Sequence, residues 1–259
     1  MNTRFRSLAL AAIFVLFFAC HAVPKGSDSE SSSGIRSGDI SRAIAKLMES
    51  GVPLQKDPKG SVRWIEAKKG ELKDEYMSLL PLLPDLEWLE IGGGDVTEKG
   101  INHLRKCTAL KRLYVHDIEL KEAELTWISN LRHLEALSLQ RTGIKGKFLE
   151  HLNSIDSLKV LNLSENPVTD ADMALIARFK NLEVLALADT QITGTGIGLL
   201  KGMPRLNELN IQNCGIYDND LLHFLSMPNL RIVYAEGCNI SDVAIAGMMT
   251  RFPSLAIFR

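Results

Sequence analysis

Apolar residues recur every 24 residues along most of the chain, and this period constrains the fold more than any other feature of the sequence. Each unit is apolar at its first, fourth and sixth positions, as in Val62, Ile65 and Ala67. The first positions of successive units are Val62, Leu86, Leu110, Leu134, Leu158, Leu182, Leu206 and Leu230, and Leu255 opens a partial ninth unit.

Two spacings within one unit predict a strand followed by a helix. Positions 4 and 6 alternate as in a strand, whereas positions 16 and 19, which are also apolar, lie one helical turn apart. A unit of this length cannot bury its apolar face alone. The units must therefore stack into one continuous core in which each contacts only its neighbours.

The segment LEVLALADTQIT at residues 182–193 carries the pattern LxxLxLxx(N/T/C)x(I/V), and residues 62–259 resemble the leucine-rich repeat family. More narrowly, this segment and the pairs Thr169-Asp170 and Ser241-Asp242 resemble planctomycete-type bacterial repeats. The resemblance implies an α/β fold, a curved right-handed solenoid with a parallel sheet on its concave face and short helices on its convex face. Residues 62–259 would then form eight coils and a partial ninth strand.

The N-terminus predicts export. Arg4 and Arg6 precede an uninterrupted apolar run over residues 8–18, which is too short to span a bilayer because a spanning helix needs about 20 residues. The positive flank, the short apolar core and the small Ala19 together indicate a signal sequence over residues 1–19. Residues 17–20, FFAC, resemble the lipobox of bacterial lipoproteins, which implies a lipid on Cys20. Cleavage after Ala22, which would release a secreted protein without a lipid, is the alternative.

The segments that flank the repeats have separate predicted roles. Residues 20–37 are rich in Ser and Gly and lack an apolar period, which predicts a flexible tether. Residues 38–61 should close the first coil with a helix, since Ile40, Ile44 and Leu47 have helical spacing, and Val52–Asp57 should connect this helix to the first strand. No polar cap is evident near residues 255–258, so that edge either shields itself or meets another molecule, including a second copy of the chain.

The polar link Ser164–Asp172 lies between two apolar runs and has a catalytic or metal-binding interpretation as well as a structural one. Asn166 takes position 9 of its coil, where it should satisfy backbone groups of the turn. Other coils carry residues there that can hydrogen-bond or pack tightly: Thr142, Thr190, Cys214 and Cys238. Thr169 and Asp170 are suited to capping the helix that follows them. We therefore interpret the link as structural.

No set of chemically active residues converges in the sequence, which predicts no catalytic residue, no metal site and no cofactor. Of the 6 His residues, His21 precedes the repeats and the others are spread along them, so neither an acid–base set nor a set of metal ligands comes together. A formal net charge of −1 gives no reason to expect nucleic acid as a partner. Cys107 falls at a buried apolar position, whereas Cys214 and Cys238 occupy position 9 of adjacent coils, as stacked thiols or as a disulfide.

Strand positions 3, 5 and 7 should point away from the core onto the concave face, where a partner would bind. In the first three coils these positions carry aromatic and charged residues of the types that anchor protein interfaces. The candidate binding residues are Trp64, Glu66, Trp88, Glu90, Arg112, Tyr114, His116, Tyr234 and Glu236. The alternative is that Trp64 and Trp88 pack beneath the N-terminal helix and meet no partner.

Together these features predict a non-enzymatic scaffold that is exported, is anchored to a membrane through Cys20, and binds a protein or peptide on its concave sheet. The binding role follows from analogy with the fold. Two alternatives stay open. One is a structural envelope protein that self-associates through its C-terminal edge, and the other is an intracellular adaptor whose N-terminus is not a signal.

Overall fold

The computed structural model describes residues 34–67, 70–120 and 125–259. The predicted signal sequence, Cys20 and residues 20–33 of the predicted tether lie outside the described residues. A single sheet of 10 strands runs through the described part, with the strands in chain order. The strands are β1 (Leu54–Lys56), β2 (Val62–Ala67), β3 (Trp88–Gly92), β4 (Arg112–His116), β5 (Ala136–Gln140), β6 (Val160–Asn162), β7 (Val184–Ala186), β8 (Glu208–Asn210), β9 (Ile232–Tyr234) and β10 (Ala256–Phe258).

The parallel strands β2 to β10 pair in the register that the period predicts. Leu89 of β3 aligns with Leu113 of β4, which aligns in turn with Leu137 of β5. Even β10 keeps the step of 24 residues, because Ile257 aligns with Val233 although the apolar Leu255 comes one residue late. Equivalent positions therefore form continuous rows across the sheet, and the predicted α/β solenoid fold is confirmed.

Short helical segments follow the strands and cover the other side of the core. The α-helices are α1 (Ser37–Glu49), α2 (Asp74–Met77), α3 (Glu98–Ile101), α4 (Asp170–Ile176), α5 (Gly194–Leu199) and α6 (Asp242–Arg251). Segments of 3₁₀ helix span Leu80–Leu82, Asn102–Lys106, Thr126–Asn130, Gly146–Leu152 and Asp218–Ser226. Strand residues at positions 4 and 6 and helical residues at positions 16 and 19 fill the core between the two layers, as Leu89, Ile91, Ile101 and Leu104 do in the second coil.

A left-handed residue at position 8 turns the chain after each strand from β3 to β9. The non-glycine residues there have φ between 53° and 59°, a region that side chains with a Cβ seldom occupy. The residues are Gly93, Asp117, Arg141, Glu165, Asp189, Asn213 and Gly237. The repeated turn places one position-8 side chain per coil along the border of the sheet.

Asn166 satisfies backbone groups of two coils, as its position predicts. Its side-chain oxygen accepts hydrogen bonds from the backbone N–H groups of Thr142 (3.0 Å) and Ile144 (3.1 Å) in the preceding coil. Its amide nitrogen donates to the carbonyl oxygens of Leu139 (2.6 Å) and Leu163 (3.0 Å). The structural interpretation of the polar link is confirmed for this residue.

Asp170 caps a different helix from the one predicted. Its carboxylate accepts hydrogen bonds from the backbone N–H (2.7 Å) and the hydroxyl (2.5 Å) of Thr193, the N-cap residue just before α5 in the next coil. At the N-terminus of α4, the helix that directly follows the link, Asp172 forms a capping box with Thr169. Its carboxylate accepts hydrogen bonds from the N–H (2.8 Å) and the hydroxyl (3.0 Å) of Thr169. Two more pairs make the same cross-coil contact: Asp74 with Thr97, and Asp218 with Ser241. The capping prediction is thus confirmed for Thr169, whereas Asp170 lies in the first turn of α4, as predicted, but hydrogen-bonds to the N-cap residue of α5.

A helix and a strand close the N-terminal end of the solenoid. Helix α1 buries Ala43 and Leu47 and contacts the 3₁₀ segment Leu80–Leu82 of the first coil. Strand β1 pairs antiparallel with β2, and Leu54 faces Ile65. The connection predicted before the first repeat therefore contains an additional strand. Three residues are too few to show the alternation that predicts a strand.

Apolar side chains remain exposed at the C-terminal end. Val243 of α6 is 82% exposed and Phe258 of β10 is 52% exposed. Phe258 stacks on Tyr234, with ring centroids 5.4 Å apart. Within the described residues, no strand pairs with the outer edge of β10.

Candidate functional site on the concave face

Three aromatic side chains from the first three coils lie side by side on the concave face. Trp64 and Trp88 meet edge to face, with ring centroids 5.3 Å apart and planes at 88°. Trp88 and Tyr114 continue the row, with centroids 5.4 Å apart and planes tilted by 54°. Contacts of this kind contribute about 0.5–1.5 kcal/mol each beyond the burial of area. The row is therefore a preformed surface.

Arg112 covers the middle ring of this row. Its guanidinium carbon lies 5.3 Å from the Trp88 ring centroid in a cation–π contact, which follows from the alignment of the two residues on neighbouring strands. Trp88 is consequently only 9% exposed. Trp64, Arg112 and Tyr114 are half-buried. Trp88 thus supports its neighbours, and those three side chains form the part of the row that a partner can touch.

The contact that helix α1 makes with the first coil does not bury the two tryptophans. It packs against Leu80–Leu82, on the helical side of the first coil. On the sheet side, Trp64 aligns with Gln55 of β1 and with Trp88 of β3. Trp88 is buried instead by its ring neighbours and by Arg112.

Carboxylates and a histidine flank the aromatic row. Glu66 and Glu90 align directly on β2 and β3, where like charges repel each other. His116 lies beside Glu90, with its Nε2 3.7 Å from the Glu90 Oε1, and its Nδ1 is 3.0 Å from the Asp117 Oδ2. The pKa of His116 is raised above its ordinary value, first by Glu90 and also by Asp117, although burial acts in the opposite direction.

Gly92 leaves the space that the His116 ring occupies. The two residues align on β3 and β4, and a Cβ built on Gly92 would lie 2.3 Å from the His116 Cε1. Any side chain at this position would displace the imidazole from its present place. The sequence around Gly92 does not reveal this requirement, because the ring that needs the space belongs to the next coil.

A network of charged side chains borders the site at position 8. Arg141 donates to the Asp117 Oδ1 through Nη1 (2.7 Å) and to the Glu165 Oε2 through Nε (2.8 Å). Gln140 donates to the other oxygen of Glu165 at 2.7 Å. Exposed ion pairs of this kind contribute little to stability. The network instead holds Asp117 in place, and Asp117 in turn orients His116.

The predicted site residues divide into two groups. Seven of them lie on β2 to β4, whereas Tyr234 and Glu236 belong to the eighth coil. Five strand spacings of about 4.8 Å separate β4 from β9, which places Tyr234 about 24 Å from Tyr114. Between the two groups, many outward side chains are small and buried: Ala136, Ser138, Asn162, Ser164, Ala186 and Ala188. The exposed acids among the predicted site residues, Glu66 and Glu236, lie at the two ends of the face.

Glu208 is the residue of this face whose environment the sequence did not reveal. It is only 2% exposed, and its Oε1 has no hydrogen-bond partner among the described residues. Burial raises its pKa to about 7. At a strand position that points away from the core, a glutamate predicts a solvated charge. Its burial depends on neighbours from other coils.

The cysteines of the repeats are free and buried, so the disulfide considered between Cys214 and Cys238 is not formed. The Cys214 thiol donates to the Leu187 carbonyl and the Cys238 thiol to the Ile211 carbonyl, both at 3.1 Å. These are hydrogen bonds to backbone groups of the preceding coil, which is the task predicted for position 9. Burial raises the pKa of Cys214 to about 11 and that of Cys107 to about 12.

Residues 34–67, 70–120 and 125–259 contain neither a candidate metal site nor a candidate membrane span. In these ranges, no three His, Cys, Asp or Glu side chains are grouped so that they could hold a metal ion. In the same ranges, no helix combines the length and the apolar character needed to cross a membrane.

Comparisons with known proteins agree with the coil geometry. Residues 156–216 match the family model described as leucine rich repeat. The fold is a leucine-rich repeat solenoid. The chain is similar to the crystal structure of internalin C2 from Listeria monocytogenes, with 21% identity and a TM-score of 0.58 over 85% of this chain and 91% of that one.

A leucine-rich repeat protein from Leptospira interrogans is also similar, with 20% identity and a TM-score of 0.50 over 70% of this chain. The similar region spans 45% of the Leptospira chain. No curated protein matches. At these identities the similarity shows the fold alone. Leucine-rich repeat solenoids commonly serve as protein-binding scaffolds, because their stacked repeats create an extended concave surface.

Proposed function

We propose that this protein is an exported, non-enzymatic scaffold that binds a protein or peptide on the concave face of coils 1 to 3. The observation that carries the proposal is the continuous row of Trp64, Trp88 and Tyr114, joined by the cation–π contact of Arg112. Trp, Tyr and Arg are the residues most enriched among those that dominate binding energy at interfaces. Rings that are already packed lose little conformational entropy when a partner binds.

The charged groups near this row favour binding over catalysis. His116 contacts Glu90 and Asp117, and Asp117 is held by Arg141, so these groups pair with one another along the sheet. A catalytic site would need acid–base groups that converge on a shared cleft. The paired charges are suited to steering a partner and fixing its orientation on the surface.

The binding proposal is tested by placing a photocrosslinking amino acid on the surface of the full chain. At Glu66, which is exposed beside the rings, we expect crosslinks to one distinct partner in envelope extracts. At Leu222, which is 53% exposed on the helical side, no crosslink to that partner should form. Adding Tyr114→Ala should weaken the Glu66 crosslink at least tenfold. Equal crosslinks from Glu66 and Leu222 would exclude the concave face as the binding surface.

Export and lipid anchoring rest on the N-terminal sequence. The supporting features are Arg4 and Arg6, the apolar run over residues 8–18 and the lipobox-like residues ending in Cys20. In this proposal, the mature chain is tethered to a membrane by a lipid on Cys20 and needs no spanning helix. Cys20→Ser should move the protein from the membrane fraction to the soluble fraction and abolish labelling by a clickable fatty acid. A soluble wild-type chain that begins at Val23 would show secretion without an anchor, and an uncleaved cytoplasmic chain would show an intracellular adaptor.

Self-association through the C-terminal edge is a second candidate. The observation that favours it is the exposure of Val243 and Phe258 beside β10, because exposed apolar side chains at a strand edge invite pairing. Sedimentation of the wild type and of Phe258→Glu tests it. Self-association predicts an oligomer that the substitution dissociates. A monomer at all concentrations would eliminate this candidate and leave the binding proposal intact.

A further inference from the structure

Glu208 is an exception among the buried polar residues. The others in the described ranges are uncharged: Ser138, Thr142, Asn162, Ser164, Asn166, Thr190 and Asn210. The other acids on the concave face are in different environments, since Glu66 and Glu236 are exposed and Glu90 has His116 beside it. A buried carboxylate without a partner is costly, so the group either stays neutral or moves to solvent.

The surroundings of Glu208 supply no positive charge. Its aligned neighbours are Val184 on β7 and Ile232 on β9. No Lys, Arg or His occurs at positions 3, 5 or 7 of coils 4 to 8. Tyr234 is a titratable side chain that interacts electrostatically with Glu208, and its pKa is raised by burial and by Glu208. Asn210 on the same strand already accepts the backbone N–H of Gln212 with its side-chain oxygen. These apolar and uncharged surroundings favour the neutral acid.

We infer that Glu208 is a proton-dependent lock on the C-terminal end of the concave face. In the neutral form, its side chain stays buried between Val184 and Ile232 and the last coils remain closed. Ionisation in this buried setting is costly, so the ionised form favours opening of the last coils, where the carboxylate reaches water. The inference concerns this end of the sheet alone and does not depend on partner binding at coils 1 to 3.

Contacts connect Glu208 to the C-terminal edge strand of the sheet. Tyr234 lies next to Glu208 and stacks on Phe258 of the edge strand β10. Strands β8 to β10 span only 3 residues each, so few backbone hydrogen bonds oppose their separation. An outward movement of the Glu208 carboxylate would therefore disturb Tyr234 and Phe258 before it affects the longer strands β2 to β5.

The direction of the pH effect follows from proton binding. Burial raises the pKa of Glu208 from its ordinary 4.5 to about 7. Between these values the closed form keeps a proton that the open form releases, so rising pH favours opening. The opening equilibrium should increase about tenfold per pH unit from pH 5 to 7 and then level off, because above the higher pKa both forms have lost the proton.

Hydrogen exchange of the full chain, followed by mass spectrometry between pH 5.5 and 8.5, tests the inference. Protection factors for residues 206–236 of the wild type should fall about tenfold between pH 5.5 and 6.5 and change little above pH 7.5. Glu208→Gln should remove this dependence. Glu236→Gln, which removes an exposed acid on the neighbouring coil, should retain it. Parallel profiles for the wild type and Glu208→Gln would overturn the inference.

A second measurement does not require the variant to fold. The chemical shift of the Glu208 side-chain carboxyl, followed by NMR in isotope-labelled wild type, should titrate with a midpoint near 7. A midpoint near the ordinary value of a glutamate would show that the carboxyl reaches water in the native state and would also overturn the inference.

Discussion

Asn166 binds Thr142 across one full coil of the solenoid: its side-chain oxygen accepts the backbone N–H of Thr142 at 3.0 Å. The same side chain also holds the Leu139 and Leu163 carbonyls, so a single amide connects two adjacent turns of the chain. Such contacts explain how an irregular turn can lie in a dry interior, because every buried backbone group that it satisfies would otherwise cost free energy.

Asn166→Ala should lower the free energy of unfolding by about 3–5 kcal/mol, because it leaves several buried backbone groups unsatisfied. Urea denaturation followed by circular dichroism measures this change. Asn239→Ala, which alters an exposed asparagine, should change the free energy by less than about 0.5 kcal/mol. Equal effects of the two substitutions would contradict the role assigned to Asn166.

Asp170→Ala should destabilise α5 rather than α4, since its carboxylate holds Thr193 in the next coil. We expect a loss of about 1 kcal/mol, typical of a helix cap. Hydrogen exchange should show faster exchange at the N-terminus of α5. The matched variant is Asp172→Ala, which should accelerate exchange at the start of α4 instead. The reverse pattern would restore the local capping that the sequence predicts.

His116 should titrate above its ordinary pKa, and Glu90→Gln should lower that pKa because Glu90 is the main cause of the shift. Gly92→Ala should act in the same direction by displacing the ring. A raised folded-state pKa means that the pairing stabilises the fold below the unfolded value of about 6.5, and that this stabilisation is lost as pH rises through the folded pKa. NMR titration of the imidazole protons measures the shift. Glu66→Gln serves as a control that should leave His116 nearly unchanged.

The three cysteines of the repeats should remain reduced and unreactive in the native state. Burial and raised pKa values keep the thiols from ionising, and the thiolate is the reactive form. In a Cys20→Ser variant, Ellman's reagent should detect almost no thiol before denaturation and all three thiols after it. A mass two units lower under non-reducing conditions would reveal a disulfide and refute the observed thiol geometry.

The repeat architecture was predictable because one apolar pattern recurs in every coil, and each recurrence reports the same environment. Leu89, Leu113 and Leu137 align as the period requires. The functions of Asn166 and Thr169 followed from their position relative to the strand and the helix. These are properties that a residue has within its own coil.

The features that the sequence did not reveal depend on contacts between coils. Asp170 hydrogen-bonds to the following coil, and Gly92 leaves space for the His116 ring of the next strand. Glu208 is buried although it points away from the core, and its aligned neighbours Val184 and Ile232 belong to other coils. Strand β1 escaped detection because it is too short to carry a period. Residues of the candidate site could be named from their strand positions, but their division between two ends of the sheet required the stacking order.

The antiparallel strand at the N-terminal edge restricts how this protein could have lengthened in evolution. A duplicated coil needs parallel strands on either side of it, and β1 presents the opposite direction to anything placed outside β2. New coils could therefore enter only after the first one, each extending the sheet by about 4.8 Å. If coils were duplicated after the third one, the aromatic rings near the N-terminal edge would keep their mutual positions and the distance from them to Tyr234 would grow.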